Sequence, residues 1–222
     1  SDPMLKAVEL QLEPPSLTDS VSDLDRLLRG FKQADQDVGR LNVGLKVMRD
    51  LAAALREDNW HISASIIQRK CSNEVLAVHP GNGDAAAYGL AIDVGTTTIA
   101  VYLVDMADGT VVAATSGHNR QADCGDDVIN RIVCAEKDGV AKLSRLVLAT
   151  INSLIGEALD GAGVELERVK NVVVSGNTTM AHLLLKIEPR YIRREPYIPT
   201  VSESPVLKAA EVIQRQEWEP GT

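Results

Sequence analysis

One stretch of the chain, residues 88–102, constrains the fold more than any other. It contains a short apolar run that ends around Asp93, then a Gly-Thr-Thr-Thr segment, then a second apolar run. The pattern predicts two neighbouring strands joined by a corner, residues 93–98, which carries a carboxylate and three hydroxyl groups. Because Gly95 has no Cβ atom, the backbone of this corner can approach a ligand closely.

The corner has the chemistry of a phosphate-binding site. The hydroxyl and amide groups of Thr96, Thr97 and Thr98 can face an anion such as a nucleotide phosphate. Asp93 suits hydrated Mg²⁺, which binds through one or two carboxylates and retains most of its water ligands. The alternative is a simple hairpin turn, in which Asp93 would only cap the end of a strand. The sequence favours the phosphate site, because the aspartate, the glycine and the three threonines occur together.

The residues after the corner predict further strands and helices in a characteristic order. The expected strands lie at 88–94, 98–105, 111–116 and 169–174, and the expected helices lie at 126–136, 138–159 and 180–185. The fourth strand is nearly all apolar, which predicts a central strand that runs parallel to the first. The first helix is expected to turn its apolar residues inward, namely Val128, Ile129, Ile132 and Val133. This order is that of a ribonuclease-H-like half-domain, so the predicted fold class is α/β.

A smaller α+β domain is predicted at residues 4–80. Its pattern indicates a strand, two helices and two more strands, in the order β-α-α-β-β, with the second helix at 42–56. It contains no chemical motif, so we expect a scaffold or docking domain. Residues 81–87 are the predicted linker, because the sequence Pro-Gly-Asn-Gly-Asp is dense in turn-forming residues. The second domain is then residues 88–222.

Two further loops are candidates for the same site. Gly176, Asn177 and Thr178 lie where a buried strand is expected to meet a helix, and exposed amide groups there attract anions. Asn177 or Thr178 can equally cap the helix, and the two roles are compatible. Asp126 begins another predicted helix, where an acidic side chain usually interacts with the helix dipole. A catalytic or water-positioning role for Asp126 is the alternative, because that helix should border the nucleotide cleft.

Composition narrows the range of partners. The net charge of −8 argues against nucleic acid and against an anionic membrane surface. No apolar run approaches the roughly 20 residues that span a bilayer. The three cysteines, Cys71, Cys124 and Cys134, are odd in number and widely spaced, which favours a reducing compartment and hence the cytoplasm. Cys124 and Cys134 are expected to be inert, half-buried thiols.

Three segments together resemble one superfamily of ATPases. They read GLAIDVGTTT at residues 89–98, GDDVINRI at 125–132 and VSGNTTM at 174–180. They resemble the acetate kinase/sugar kinase/Hsp70/actin superfamily, and within it the reductive activators of corrinoid proteins. The resemblance implies that ATP and Mg²⁺ are cofactors and that a corrinoid protein is the partner. It also implies an activity: an iron–sulfur cluster passes one low-potential electron to an inactive Co(II) corrinoid protein, which returns to Co(I) for methyl transfer in one-carbon metabolism.

The chain also departs from that family's pattern. A cluster needs grouped cysteines, whereas Cys124 and Cys134 are ten positions apart and Cys71 is alone. The family's second phosphate motif and its adenosine motif are missing as well. We therefore expect a fragment, made of a middle domain and the first half of an actin-like ATPase domain, that is inactive alone. A homodimer is one option, because half a domain exposes apolar surface. A small-molecule kinase of the same superfamily and a non-catalytic docking or dimerisation module are the alternatives.

Overall fold

The computed structural model describes residues 5–34, 41–68, 73–81, 87–204, 206–207 and 212. The chain forms two compact units. The first comprises Ser1–Tyr88 together with Asp105–Thr110, and the second comprises Gly89–Val104 and Val111–Thr222. Residues 82–86 of the predicted linker lie outside the described residues.

The first unit is a four-stranded sheet with two helices. Its elements are β1 (Leu5–Gln11), α1 (Asp23–Gln33), β2 (Leu41–Val43), α2 (Leu45–Glu57), β3 (His61–Gln68) and β4 (Asn73–Pro80). The strand order is β1-β3-β4-β2, and β3 is antiparallel to both of its neighbours. Ser22 caps α1, because its side chain accepts a hydrogen bond from the Asp25 N–H. An aliphatic core that includes Leu27 and Leu55, both fully buried, holds the helices on the sheet.

The predicted order β-α-α-β-β was wrong at one point. β2 separates the two helices and pairs in parallel with the start of β4, so α2 begins at Leu45 and not at residue 42. A strand of three residues is too short to display an alternating pattern, so its pairing partner decides its conformation. Leu41 and Val43 pack against the core of this unit.

The second unit contains the corner. Its elements are β5 (Tyr88–Val94), β6 (Thr98–Asp105), β7 (Val111–His118), α3 (Val128–Asp138), α4 (Val140–Ala162), β8 (Val169–Gly176) and α5 (Thr178–Leu184), with 3₁₀ turns at Arg120–Cys124, Leu166–Arg168 and Arg190–Ile192. The strand order is β7-β6-β5-β8. β6 and β7 form the expected antiparallel hairpin, with Gly109 at φ +82° in its turn. The predicted α/β fold class and the ribonuclease-H-like order of elements are confirmed.

The position of β8 differs from the prediction. β8 neighbours β5, but it lies at the end of the described sheet and not in its centre. Three consecutive valines of β8, Val172, Val173 and Val174, are 45–54% exposed. An apolar run indicates that a strand avoids water, but it does not specify how many strands flank it.

Helix α3 turns a different face inward from the one predicted. Ile132 is fully buried, as expected, whereas Ile129 is 50% and Val133 is 43% exposed. Arg131 and Ala135 are buried instead. The guanidinium of Arg131 hydrogen-bonds inside the unit, and a search for apolar periodicity assigns such a residue to the surface.

Helix α4 supports the sheet from one side. The Thr115 hydroxyl of β7 donates to the Leu154 carbonyl at 2.9 Å, and the Gly117 backbone lies against the Leu154 side chain. Gly163, in the left-handed conformation, ends the helix. Within the described residues, none of the helices has the length and apolarity that crossing a membrane requires.

Candidate functional site

The corner leaves the sheet where β5 ends. Ile92 and Val94 are buried and Asp93 between them is exposed, as the alternation of a strand requires. Thr96 is half-buried, Thr97 and Thr98 are exposed, and Thr98 begins β6. The carboxylate and the hydroxyl groups that the sequence singled out therefore lie at one end of the strand pair.

Gly95 is required by the turn itself. A Cβ atom on Gly95 would collide with the Thr98 carbonyl oxygen, so no larger residue fits without a shift of the backbone. The prediction gave Gly95 a role in close approach to a ligand. The structure adds a local reason that operates whether or not a ligand is bound.

Asn119 holds the corner from behind, and the sequence analysis missed it. Its side-chain Nδ2 donates to the Gly95 carbonyl at 2.9 Å, and its backbone N–H donates to the Thr97 carbonyl at 2.8 Å. Asn119 is fully buried. In the described part of the chain, no hydrogen bond uses the amide N–H groups of Thr96 and Thr97. The carbonyl groups of Gly95 and Thr97 are thus occupied, while these two donors are left for another acceptor.

The loop between β8 and α5 lies beside the corner. The Ser175 hydroxyl donates to Asp93 Oδ1 at 3.0 Å, and Asn177 Nδ2 lies 3.4 Å from the Thr96 hydroxyl oxygen. A Cβ atom on Gly176 would lie 3.0 Å from the Val94 carbonyl oxygen, so a glycine lets the two backbones approach. Two predicted loops more than seventy residues apart in sequence are therefore neighbours in the structure. Ser175 is a further member that the prediction did not include.

Asn177 also caps α5. Its Oδ1 accepts a hydrogen bond from the Met180 N–H at 3.0 Å, while its Nδ2 faces Thr96. Both of the roles considered for this residue, capping the helix and facing the site, are compatible with one side-chain conformation. Thr178 is the exposed first residue of α5.

A small cavity opens on the other side of this loop. Its volume is about 70 Å³, and Gly176, Thr178 and His182 are among the residues that line it. The residues of the corner are not part of its lining. The cavity and the corner therefore contact different sides of the β8–α5 loop.

Asp126 and Asp127 have different environments. Asp127 caps α3, because its two carboxylate oxygens accept from the backbone N–H and the side-chain amide of Asn130 at 2.8 and 3.0 Å. Asp126 precedes it and is exposed. Among the described residues, no hydrogen bond or ion pair joins Asp126 to Asp93. A catalytic role for Asp126 stays a prediction.

The donor set at the corner is compatible with a hydrated cation. The exposed carboxylate of Asp93 lies 3.0 Å from the Ser175 hydroxyl, and the Thr96 hydroxyl lies 3.4 Å from Asn177 Nδ2 of the same loop. No cluster of three or more His, Cys, Asp or Glu side chains that could hold a metal is present in the described ranges. Mg²⁺ fits such a site because it takes one or two carboxylates and obtains its other ligands from water and phosphate.

Comparison with known proteins covers nearly the whole chain. One protein-family model, described as the RACo linker region, matches residues 1–85, and another, described as the RACo middle region, matches residues 88–218. These descriptions apply the word middle to the second part of the chain, whereas the sequence analysis applied it to residues 4–80.

Individual relatives are much longer than this chain. The corrinoid activation enzyme RamQ of Eubacterium limosum is 30% identical over 139 residues, which are 61% of this chain and 23% of RamQ. A solved reductive activator for corrinoid, iron–sulfur protein is 42% identical with a TM-score of 0.80, over 90% of this chain and 32% of that one. An archaeal actin homologue, Ta0583, is 14% identical with a TM-score of 0.32, over 76% of this chain and 68% of its own. The chain thus spans about a quarter to a third of the first two proteins.

Proposed function

The chain belongs to the RACo family, and from this premise we propose that its second unit supplies the first half of the ATP site of a reductive activator of corrinoid proteins. The solved relative is named as such an activator, and this chain covers 32% of it at 42% identity. The activity of the complete protein is therefore part of the proposal. In it, ATP supports the reduction of a Co(II) corrinoid protein to Co(I).

One observation carries the proposal. Asp93 and Thr96 of the corner contact Ser175 and Asn177 of the β8–α5 loop, at the ends of two neighbouring strands. Open α/β sheets bind ligands in this kind of place, outside the ends of the strands. The two loops also hold the residues for which the sequence analysis had predicted phosphate contacts.

The chain's own groups would act by positioning and by charge. The free N–H groups of Thr96 and Thr97 would donate to phosphate oxygens, and Asp93 would orient Mg²⁺ through its water ligands. Bound Mg²⁺ neutralises the charge that develops on the phosphates. Phosphoryl transfer depends largely on such positioning and electrostatic stabilisation. Asp126 is proposed as the residue that orients the attacking water.

An iron–sulfur cluster does not fit the described residues. Such a cluster takes four cysteine ligands, whereas the described ranges contain Cys124 and Cys134, and Cys71 lies outside them. We therefore propose that the electron comes from a cluster outside residues 1–222. The same proposal includes a corrinoid protein as partner, a cytoplasmic location and a homodimer. The net charge of −8 supports the further expectation that neither nucleic acid nor an anionic membrane is a partner.

Calorimetric titration of the full-length protein with a non-hydrolysable ATP analogue tests the site. With Mg²⁺ present, Asp93→Asn should weaken binding by about tenfold or more, because the carboxylate that orients the cation is lost. The wild-type protein titrated without Mg²⁺ should resemble the variant. An Asp93→Asn protein with wild-type affinity and unchanged Mg²⁺ dependence would rule out this site. A parallel assay follows the cobalt absorbance of the corrinoid protein with ATP and a low-potential reductant.

A further inference from the structure

We propose that a buried polar relay, made of Asn119, Gln121 and Arg131, positions the corner relative to the loop that carries Asp126. The inference rests on the proposed ATP site, because it assigns these residues a role in nucleotide binding. They act through their hydrogen bonds to other segments of the protein, so they are positioning residues.

The relay begins at the corner and continues through Gln121. Asn119 contacts Gly95 and Thr97 as described above, and its Oδ1 accepts the Gln121 N–H at 3.0 Å. Gln121 is fully buried. Its Nε2 donates to the Leu143 carbonyl of α4 at 2.8 Å, and its Oε1 accepts from Arg131 Nη1 at 3.3 Å. The position of Gln121 is therefore fixed by a helix that lies outside the site.

Arg131 connects the relay to the two other loops of the site. Its Nε donates to the Gly125 carbonyl at 2.9 Å, immediately before Asp126. Its Nη1 also lies 3.5 Å from the sulfur of Met180, in the first turn of α5. Gly125 has φ +146° and its backbone lies against Asn130 and Arg131, so this loop has little freedom. A shift of Arg131 would thus move the Asp126 loop and the start of α5 together.

The charge of Arg131 argues against a purely structural role. The side chain is fully buried, and among the described residues no carboxylate forms an ion pair with it. Its Nη2 has no hydrogen-bond partner within the described ranges. Burial lowers the pKa of Arg131, and the charges of Cys124, Asp126 and Asp127 act against this shift. Burying an ion without a carboxylate in direct contact is costly, and an apolar side chain of similar size would fill the same space with less loss.

The test compares relay variants with a matched control in the full-length protein. Asn119→Leu keeps about the size of the side chain and adds no charge but removes the donor to Gly95, and Arg131→Lys keeps the charge but loses the forked hydrogen bonds. Ser144→Ala is the control, because Ser144 is equally buried and donates one hydrogen bond to the Leu184 carbonyl at 3.0 Å. Each protein is measured for thermal midpoint, affinity for the ATP analogue, and the electron paramagnetic resonance spectrum of Mn²⁺ bound with that analogue.

We expect both relay variants, Asn119→Leu and Arg131→Lys, to bind the analogue about tenfold more weakly, the loss that corresponds to one hydrogen bond. Their Mn²⁺ spectra should change, because the cation environment at Asp93 is less well defined. Ser144→Ala should lower the thermal midpoint about as much as the relay variants do, but it should leave the affinity for the analogue and the Mn²⁺ spectrum unchanged.

Two results would overturn the inference in different ways. If Asp93→Asn weakens binding but the relay variants behave like Ser144→Ala, the relay is structural and the proposed site survives. If the wild-type protein does not bind the analogue, the proposed site and the relay fail together. Asn119→Leu alone decides the matter if Arg131→Lys does not fold.

Discussion

Among the described residues, each unit buries one arginine, and the two arginines have different surroundings. Arg26, 1% exposed in the first unit, forms a 2.8 Å ion pair with Asp19, donates to the Glu13 carbonyl and lies over the Trp60 ring. Arg131, fully buried in the second unit, donates to neutral acceptors in loops of the candidate site.

The difference distinguishes a buried charge that stabilises the fold from a buried charge that is retained to position other segments. A buried arginine with its own carboxylate joins two parts of a fold, here α1 and the segment before it. A buried arginine without one costs more, and its contacts fall on the segments that the proposed nucleotide would approach. The comparison predicts that mutations in the first unit change stability alone, and that mutations around Arg131 also change nucleotide binding.

Truncation of Arg26 should give the largest effect. Arg26→Ala removes the buried partner of an ion pair and leaves the carbonyl groups of Glu13 and Asp19 without their donor, which costs about 3–5 kcal/mol of unfolding free energy. Urea unfolding of residues 1–222 followed by fluorescence measures this, in a Trp218→Phe background so that Trp60 is the one tryptophan of these residues. Affinity for the ATP analogue should not change. The control is Arg56→Ala, which removes an exposed arginine over the same ring. A nucleotide defect in Arg26→Ala would break the comparison.

Substitution of one glycine in each unit should show the same contrast, with a smaller loss of unfolding free energy. Gly95→Ala forces a Cβ atom onto the Thr98 carbonyl, which should cost about 1–3 kcal/mol and weaken nucleotide binding, because the corner must open. A Cβ atom on Gly44, at φ −76° before α2, meets nothing within 4 Å. Gly44→Ala should therefore cost at most about 1 kcal/mol, from the poorer helix cap, and leave binding intact. Equal losses of unfolding free energy in the two variants, measured by urea unfolding, would show that the corner relaxes freely around the added Cβ atom.

The sequence predicted the parts of the site that are local. Asp93, Gly95 and the threonines form a continuous segment between two apolar runs, so their spacing alone indicates a strand-turn-strand corner. Asn177 was one of two residues considered as the cap of the helix, and the structure shows that it is the cap, a role that depends on a neighbour three residues away.

The parts that were missed depend on contacts between distant segments. Asn119 acts on a carbonyl 24 positions earlier, and Ser175 on a carboxylate 82 positions earlier. Arg131 was not singled out, because its contacts are with a carbonyl, an amide oxygen and a sulfur that only the fold assembles. No local pattern encodes these partners.

The ion pair of the first unit should make that unit sensitive to acid. Hydrogen bonds from Arg29 and Arg26 lower the pKa of Asp19 from an ordinary 3.8 to about 2. Because the folded pKa lies below the unfolded one, the stabilisation is present above about pH 3.8 and is lost as the pH falls toward 2. The urea midpoint from Trp60 fluorescence should fall more steeply below pH 4 in the wild type than in Asp19→Asn. Parallel pH profiles of the wild type and Asp19→Asn would show that the burial of Arg26 does not depend on the charge of this carboxylate.

The smallest effect on stability is expected at alkaline pH, in the second unit. Burial and a hydrogen bond with Cys124 raise the pKa of Cys134 from an ordinary 9.0 to about 12. The contribution of this thiol to stability is therefore present below pH 9 and is lost as the pH rises toward 12. Alkylation of the folded protein by iodoacetamide, followed residue by residue with mass spectrometry, should label Cys134 slowly until the pH is well above 9.

The result at Cys134 bears directly on the comparison of the two arginines. Cys134 lies one helical turn after Arg131 on α3, so a thiolate there would be a nearby negative charge. A neutral Cys134 leaves Arg131 without that counter-ion at physiological pH, as the contrast with Arg26 requires. Rapid labelling of Cys134 near pH 7 would instead indicate a thiolate beside Arg131. The contrast with Arg26 would then be weaker, and so would the argument that Arg131 is retained for positioning.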